Sequence, residues 1–270
     1  MSEKRSVKES LALFGKGALI GVANTVPGVS GGTIAVITGI YDEMMDAISH
    51  FIKSWKFLAL LLSGAGAGIL IFARLIEYFF EAYPVQTLYS FMGLIIGGIP
   101  ALWKTAEFPK KIKAHWIFAF FLAFALVVLM GLSAEPGESV PLRDFSLQSG
   151  LMVFLAGAAG GAAMIIPGVS GSFLLLLMGM YTTFIAAVND MNLPMLACAG
   201  LGLAVGILLV ARVMTFCLAR FPKTTYAVIF GMVFGSVVTL WPGISLDLMG
   251  IISLIFIPLG IVAGYLLGDR

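Results

Sequence analysis

The sequence predicts an all-α, polytopic membrane protein. It is built as an inverted repeat of two units, each a re-entrant broken-helix hairpin plus three transmembrane helices. Three observations predict this class. The chain has 270 residues, of which 60% are hydrophobic and 11% charged, with a mean hydropathy of +1.05; a soluble domain carries about 25% charged residues. Six apolar stretches are long enough to cross a bilayer. The sequence Pro-Gly-Val-Ser-Gly occurs twice, each time in the middle of a further apolar region. The composition excludes a cytosolic enzyme and a secreted disulfide scaffold, and a net charge of +2 from scattered residues excludes a nucleic-acid binder. The chain reads as one membrane domain over 1–270.

A helix needs about 20 apolar residues to cross the roughly 30 Å hydrocarbon core. The stretches near 57–78, 85–103, 115–133, 193–214, 225–241 and 248–268 meet that length. The regions 11–50 and 150–190 are interrupted at their centres, and their arms are short, so both read as re-entrant hairpins that enter and leave on one side. The N-terminal apolar run ends in Pro27-Gly28 without an Ala-x-Ala cleavage site and reads as retained. Cys198 and Cys217 fall in apolar stretches with no metal-ligand spacing, so they read as core residues. No metal or cofactor is expected.

Basic residues orient the spans. With the N-terminus in the cytoplasm, 13 Lys and Arg fall on the cytoplasmic side: Lys4, Arg5, Lys8, Lys16, Lys53, Lys56, Lys104, Lys110, Lys111, Lys113, Arg220, Lys223 and Arg270. The opposite side receives only Arg143, among Glu135, Glu138, Asp144 and Asp190. Both termini are therefore expected in the cytoplasm, with the protein multi-pass in the cytoplasmic (inner) membrane.

The two halves are related. Pro27–Tyr41 matches Pro167–Tyr181 at 7 of 15 positions with an offset of 140. At an offset of 138, Gly68 meets Gly206, Ala73-Arg74 meets Ala211-Arg212, Pro84 meets Pro222, Gly93 meets Gly231, Gly97 meets Gly235, and Trp103 meets Trp241. Repeat 1 covers about 11–133 and repeat 2 about 150–268. Three spans per unit is an odd number, so the second unit sits upside down relative to the first. Inverted repeats with broken helices place transporter substrate sites where the breaks meet.

The motif Pro27, Gly28, Val29, Ser30, Gly31, Gly32, Thr33 and its counterpart Pro167, Gly168, Val169, Ser170, Gly171, Ser172 combine a helix stop, permissive glycines and hydroxyls. A new helix follows each. Backbone N–H groups can then converge at a positive helix end, which suits an anion, with Ser30, Thr33, Ser170 and Ser172 as further donors. No Gly-Lys-Ser/Thr follows, so neither loop is a nucleotide P-loop. Gly64/Gly68, Gly93/Gly97, Gly202/Gly206 and Gly231/Gly235 read as helix-packing pairs. Arg74 and Arg212 are repeat-related arginines inside spans, one near each end, and an intramembrane arginine marks a function by default. Arginine also grips phosphate by paired hydrogen bonds. The bland alternative is snorkelling, with Arg74 paired to Glu77. Asn24 reads as a one-sided polar contact or a cap, since its counterpart is Met164. Tyr41 and Tyr181 end the outgoing arms and read foremost as interfacial anchors. Asp42, Glu43 and Asp46 read as a solvated turn.

With its paired PGVSGG and PGVSGS motifs, the chain resembles the PopT-type polyprenyl-phosphate transporter family of bacteria and archaea over roughly 11–268. The resemblance implies translocation of undecaprenyl phosphate, the carrier lipid of cell-wall synthesis, from the outer to the cytoplasmic leaflet. The partners it implies are the polyprenyl-phosphate lipid and membrane lipids, with no nucleic acid; self-association into a homo-oligomer is compatible with it. Ser172 and Phe173 stand where the first motif has Gly32 and Thr33, so the two loops are not expected to bind alike. The residues leave two alternatives open. Paired helix ends suit a small inorganic anion channel or exchanger, and a lipid phosphatase would use Ser30 or Ser170 as nucleophile, though no histidine lies near either loop to serve as base.

Overall fold

The computed structural model describes residues 6–24, 29–133, 140–244 and 248–268. Among them are thirteen helices and no strand: α1 Val7–Asn24, α2 Gly31–Ile37, α3 Tyr41–Ser49, α4 Trp55–Ala82, α5 Pro84–Ala106, α6 Ala114–Leu132, α7 Leu147–Ile165, α8 Gly171–Leu177, α9 Tyr181–Asn189, α10 Leu193–Arg220, α11 Pro222–Thr239, α12 Leu248–Ser253 and α13 Phe256–Gly268. Six segments are long and apolar enough to cross a membrane: Trp55–Phe72, Pro84–Ala106, Ala114–Leu132, Leu147–Ile165, Leu193–Arg220 and Gly250–Gly268.

Five of these six coincide with expected spans. The sixth, α7, is a full-length incoming helix where the sequence suggested a short arm, because its interruption comes only after Ile165. Conversely, α11 is helical over the expected 225–241 span but opens with Lys223, Thr224 and Thr225, which lowers its apolar character. In the second half the outgoing arm is itself broken, with α8 and α9 meeting at 109°.

Small residues pair the long helices. A Cβ at Gly64 or Gly68 would collide with the carbonyls of Phe14 and Ala18, so α1 and α4 lie in backbone contact and run parallel. Gly202 and Gly206 seat in the same way on Phe154 and Ala158 of α7, Gly93 and Gly97 on Ile257 and Ile261 of α13, and Gly231 on Phe120 of α6, with Gly235 against Val127. In lipid no hydrophobic force draws helices together, so close van der Waals packing across small residues holds such pairs. All four glycine pairs expected to pack therefore do so. Gly17, Gly21, Gly157, Gly161, Gly260 and Gly264 answer three of these pairs from the facing helices, so those contacts are small-on-small, while α6 meets Gly231 and Gly235 with Ala123 and Val127.

Direction follows from the contacts. Lys16 of α1 reaches the Thr38 carbonyl and Ile37 packs on Gly98 of α5, while Leu19, Val22 and Ala23 stand near Phe91 and Leu94; α1 and α5 are thus antiparallel. Helices α1, α4, α6 and α11 run toward one end of the bundle, here the cavity end. Helices α5, α7, α10 and α13 run toward the opposite end, where α13 finishes. The largest buried cluster centres on α2 and joins Ile34 and Ile37 to Met45, Tyr89, Ile95, Ile229 and Val233. Large apolar side chains such as Leu70 and Leu147 cover the outside, the reverse of a water-soluble surface and suited to lipid.

Candidate functional site

The two broken loops lie against each other inside the bundle. Ser30 caps α2, its Oγ accepting from Gly32 N at 3.1 Å, and Asn24 Oδ1 accepts from Gly31 N at 3.1 Å. The N–H groups of Thr33 and Ile34 donate to the Ser30 carbonyl. The donors at the start of α2 are thus satisfied within the first loop, as a buried helix start requires. Every residue of α2 is buried.

The second loop is built differently. Ile166 precedes Pro167 and is extended, as proline requires of its predecessor. Gly168 adopts φ +79°, the left-handed region, and a Cβ there would meet the Met232 carbonyl, so only glycine fits. Ser170 does not cap α8; its Oγ pairs with Ser172 Oγ at 3.0 Å. The N–H groups of Gly171, Ser172 and Phe173 have no acceptor among the described residues, and no residue of α8 is buried.

Hydroxyls of the first loop hold the second. Ser30 Oγ donates to Ile166 O at 2.9 Å, and Thr33 Oγ1 accepts from Gly168 N at 2.8 Å. Both side chains are almost fully buried. A Cβ at Gly32 would stand 2.5 Å from the Ile165 carbonyl, so that glycine permits the crossing.

A cavity of about 330 Å³ borders the second loop, lined by Leu88, Val127, Met130, Gly131, Gly168, Val169, Ser170, Phe173, Thr239, Leu240, Trp241 and Pro242. None of these residues is charged, and hydroxyls come from Ser170 and Thr239. The N-terminal part of α5 and the C-terminal parts of α6 and α11 form its walls, so it lies toward the cavity end. On the α2 side, a space of about 40 Å³ lies between α1, α2 and α5. Side-chain contacts bridge the opposite end. Trp103 packs on Phe108 and Phe230 with ring centroids 5.2 and 5.7 Å apart, Tyr226 Oη donates to Asp42 Oδ2 at 2.6 Å, and Lys223 Nζ donates to the Ala106 carbonyl at 2.9 Å.

A family model described as undecaprenyl phosphate translocase-like matches residues 20–250. The chain belongs to that family. A polyprenyl-phosphate transporter of Vibrio cholerae serotype O1 is 32% identical over 251 residues, covering 86% of this chain and 78% of that protein. A polyprenyl-phosphate transporter of Staphylococcus aureus is 30% identical over 267 residues, covering 94% of each. No solved structure matches. These relatives are named transporters and not enzymes, which is consistent with a protein that is not an enzyme.

Within this member of the translocase-like family, Ser30, Gly32 and Thr33 of the first motif meet Ile165, Ile166 and Gly168 at the second break, with Val29 and Gly31 beside them on the first loop and Val169, Ser170, Gly171 and Ser172 following Gly168 on the second. Gly28 lies outside the described residues. Asn24 acts as a cap on α2. Tyr41 is buried, which corrects the reading as an interfacial anchor, and its hydroxyl has no hydrogen-bond partner among the described residues. Tyr181 opens α9 and is exposed. Arg74 and Arg212 stand exposed on α4 and α10, toward opposite ends, and neither lines a described cavity. Among the described residues no ion pair joins Arg74 to Glu77. The apolar lining, Leu88, Val127, Met130, Phe173, Leu240 and Trp241, was not singled out from the sequence. Its one available signal was Trp241, which repeats Trp103.

Proposed function

We propose that the protein carries undecaprenyl phosphate from the outer to the cytoplasmic leaflet of the inner membrane by alternating access, with both termini in the cytoplasm. The observation that supports this most is the one-sided opening at the crossed loops. The second loop offers Ser170, Ser172 and N–H groups with no acceptor among the described residues beside an apolar cavity, while Ser30 and Thr33 of the first loop are buried and side-chain contacts bridge the far end. A phosphomonoester lipid needs such a pairing of hydrogen-bond donors for its head and an apolar wall for the start of its chain. The barrier to unaided flipping is the cost of taking a charged phosphate through hydrocarbon; donors at the centre of the path lower it, and the polyprenyl tail stays in lipid.

The basic residues at the termini end, Lys53, Lys56, Lys104, Lys110, Lys111, Lys113, Arg220 and Lys223, support a cytoplasmic assignment of that end. The cavity then faces the outer leaflet, the side from which the lipid is collected. The opposed directions of α1 and α7, α4 and α10, α5 and α11, and α6 and α13 support the inverted repeat, about 11–133 against 150–268. Rocking of one unit against the other would open the termini end and close the cavity end. Arg74 and Arg212 would meet the phosphate on the lipid-facing flanks near the two leaflets, at entry and release.

The test is transbilayer movement of labelled polyprenyl phosphate in proteoliposomes. Wild type moves the lipid; S170A/S172A slows it at least about tenfold, the effect of losing more than one hydrogen bond to a charged group; R74A/R212A slows it without removing the protein from the membrane. Wild-type rates in both folded double variants would sink the site assignment. Flux of chloride or inorganic phosphate without lipid movement would identify a small-anion carrier instead.

A further inference from the structure

We propose that Thr33 and Ser30 are positioning residues: they do not touch the phosphate but hold the second loop in the shape that does. This rests on the reading that the second loop receives the phosphate. The two hydrogen bonds straddle Pro167. On one side Ser30 Oγ holds the Ile166 carbonyl at 2.9 Å; on the other, Thr33 Oγ1 accepts from Gly168 N at 2.8 Å. Gly168 is the residue with left-handed φ, and its conformation aims Val169 and Ser170 at the cavity. The Ile166–Pro167 peptide is held at its carbonyl and the Pro167–Gly168 peptide at its N–H, so both planes leading into the glycine are fixed.

Neither hydroxyl is available to a ligand. Thr33 is 1% exposed and Ser30 2%, and each is occupied by main-chain partners of the other loop or its own. Neither lines the large cavity. The arrangement is not reciprocal: the counterpart of Thr33 is Phe173, which faces that cavity and has no hydroxyl to return. The counterpart of Asn24 is Met164, so the second loop also lacks the side-chain cap of the first. The two motifs therefore divide the work, one bracing and one receiving, and the transporter has one phosphate site, not two equivalent ones.

The probe is farnesyl phosphate, with farnesol as its uncharged control, binding to the purified full chain in nanodiscs. T33V keeps the shape and loses the acceptor; it should weaken farnesyl phosphate about fivefold or more, leave farnesol within about twofold, and be rescued by T33S. Placed on S170A/S172A, T33V should add nothing further, because it acts through those residues. If T33V does not fold, S30A is measured in its place and should weaken farnesyl phosphate about two- to threefold. Wild-type affinity in T33V, or in S30A where it replaces T33V, overturns the inference. So does equal weakening of farnesyl phosphate and farnesol, which would mark a merely structural contact. Should S170A/S172A itself bind farnesyl phosphate like wild type, the site reading fails and this inference with it; loss in S170A/S172A with T33V unchanged defeats the positioning role alone.

Discussion

At the scale of single residues, the difference between the loops comes down to a few side chains. Asn24 and Ser30 satisfy the start of α2, whereas Met164 cannot do this for α8 and Ser170 turns to Ser172. Gly168 is constrained twice, since it combines a left-handed backbone with the Met232 carbonyl where a Cβ would stand. Gly168→Ala should therefore lower thermal stability in detergent by roughly 2–4 kcal/mol, backbone strain and overpacking together, and stop transport. Gly39→Ala makes the control: its φ is +69° but a Cβ there meets nothing within 4 Å, so strain alone remains, about 1 kcal/mol. Equal losses in the two variants would remove the steric part of this account.

At the scale of elements, the long helices were legible in the sequence because about 20 consecutive apolar residues have few other uses. The GxxxG spacings were legible as packing for the same reason: they put small residues on one helix face. Their partners were not, since a glycine stripe says that something comes close and not which helix it is. Gly66 and Gly68 show how sharp the distinction is. A Cβ at Gly66 meets nothing within 4 Å, while one at Gly68 would collide with the Ala18 carbonyl. Gly68→Leu should abolish folded protein in the membrane, and Gly66→Leu should express at wild-type levels, as judged by size-exclusion of detergent extracts. A folded Gly68→Leu would show that α1 and α4 do not need backbone contact. The outgoing arms were harder to read: the break between α8 and α9 at 178–180 carries no proline, and its Gly179 at φ +66° resembles many helix glycines until the bend is seen.

At the scale of the whole molecule, two related halves adopt unequal environments. Helix α2 is wholly buried whereas α8 is half-buried with Ser172 exposed, and the cavity end holds the larger space while the termini end is bridged by Trp103, Phe108, Phe230 and the Tyr226–Asp42 hydrogen bond. Cysteine accessibility tests this directly once Cys198 and Cys217 are replaced by alanine. Ser172→Cys should react with a membrane-impermeant thiol reagent applied from the cavity end and be protected by farnesyl phosphate. Ala35→Cys, at a position with no exposed surface, should stay unreactive from both sides until the protein turns over. Rapid labelling at Ala35→Cys in the resting protein would contradict the one-sided state.

The sequence by itself determined that this chain lives in a membrane, where five of its six long apolar spans lie, that one Pro-Gly-Val-Ser-Gly motif recurs in the second half, and which two loops interrupt apolar regions. Each of these is a property of local composition or of self-similarity, and needs no knowledge of what touches what. Only the tertiary structure decided that the loops cross, that Ser30 and Thr33 turn inward to hold the peptides on both sides of Pro167, that the cavity beside the second loop is lined by Leu88, Val127, Phe173 and Trp241, and that Arg74 and Arg212 stand away from it. Those facts depend on contacts between residues more than a hundred positions apart. The hydroxyl of Thr33 has the same chemistry whether it faces a phosphate or the amide of Gly168, and only the packing of one half against the other chooses between them.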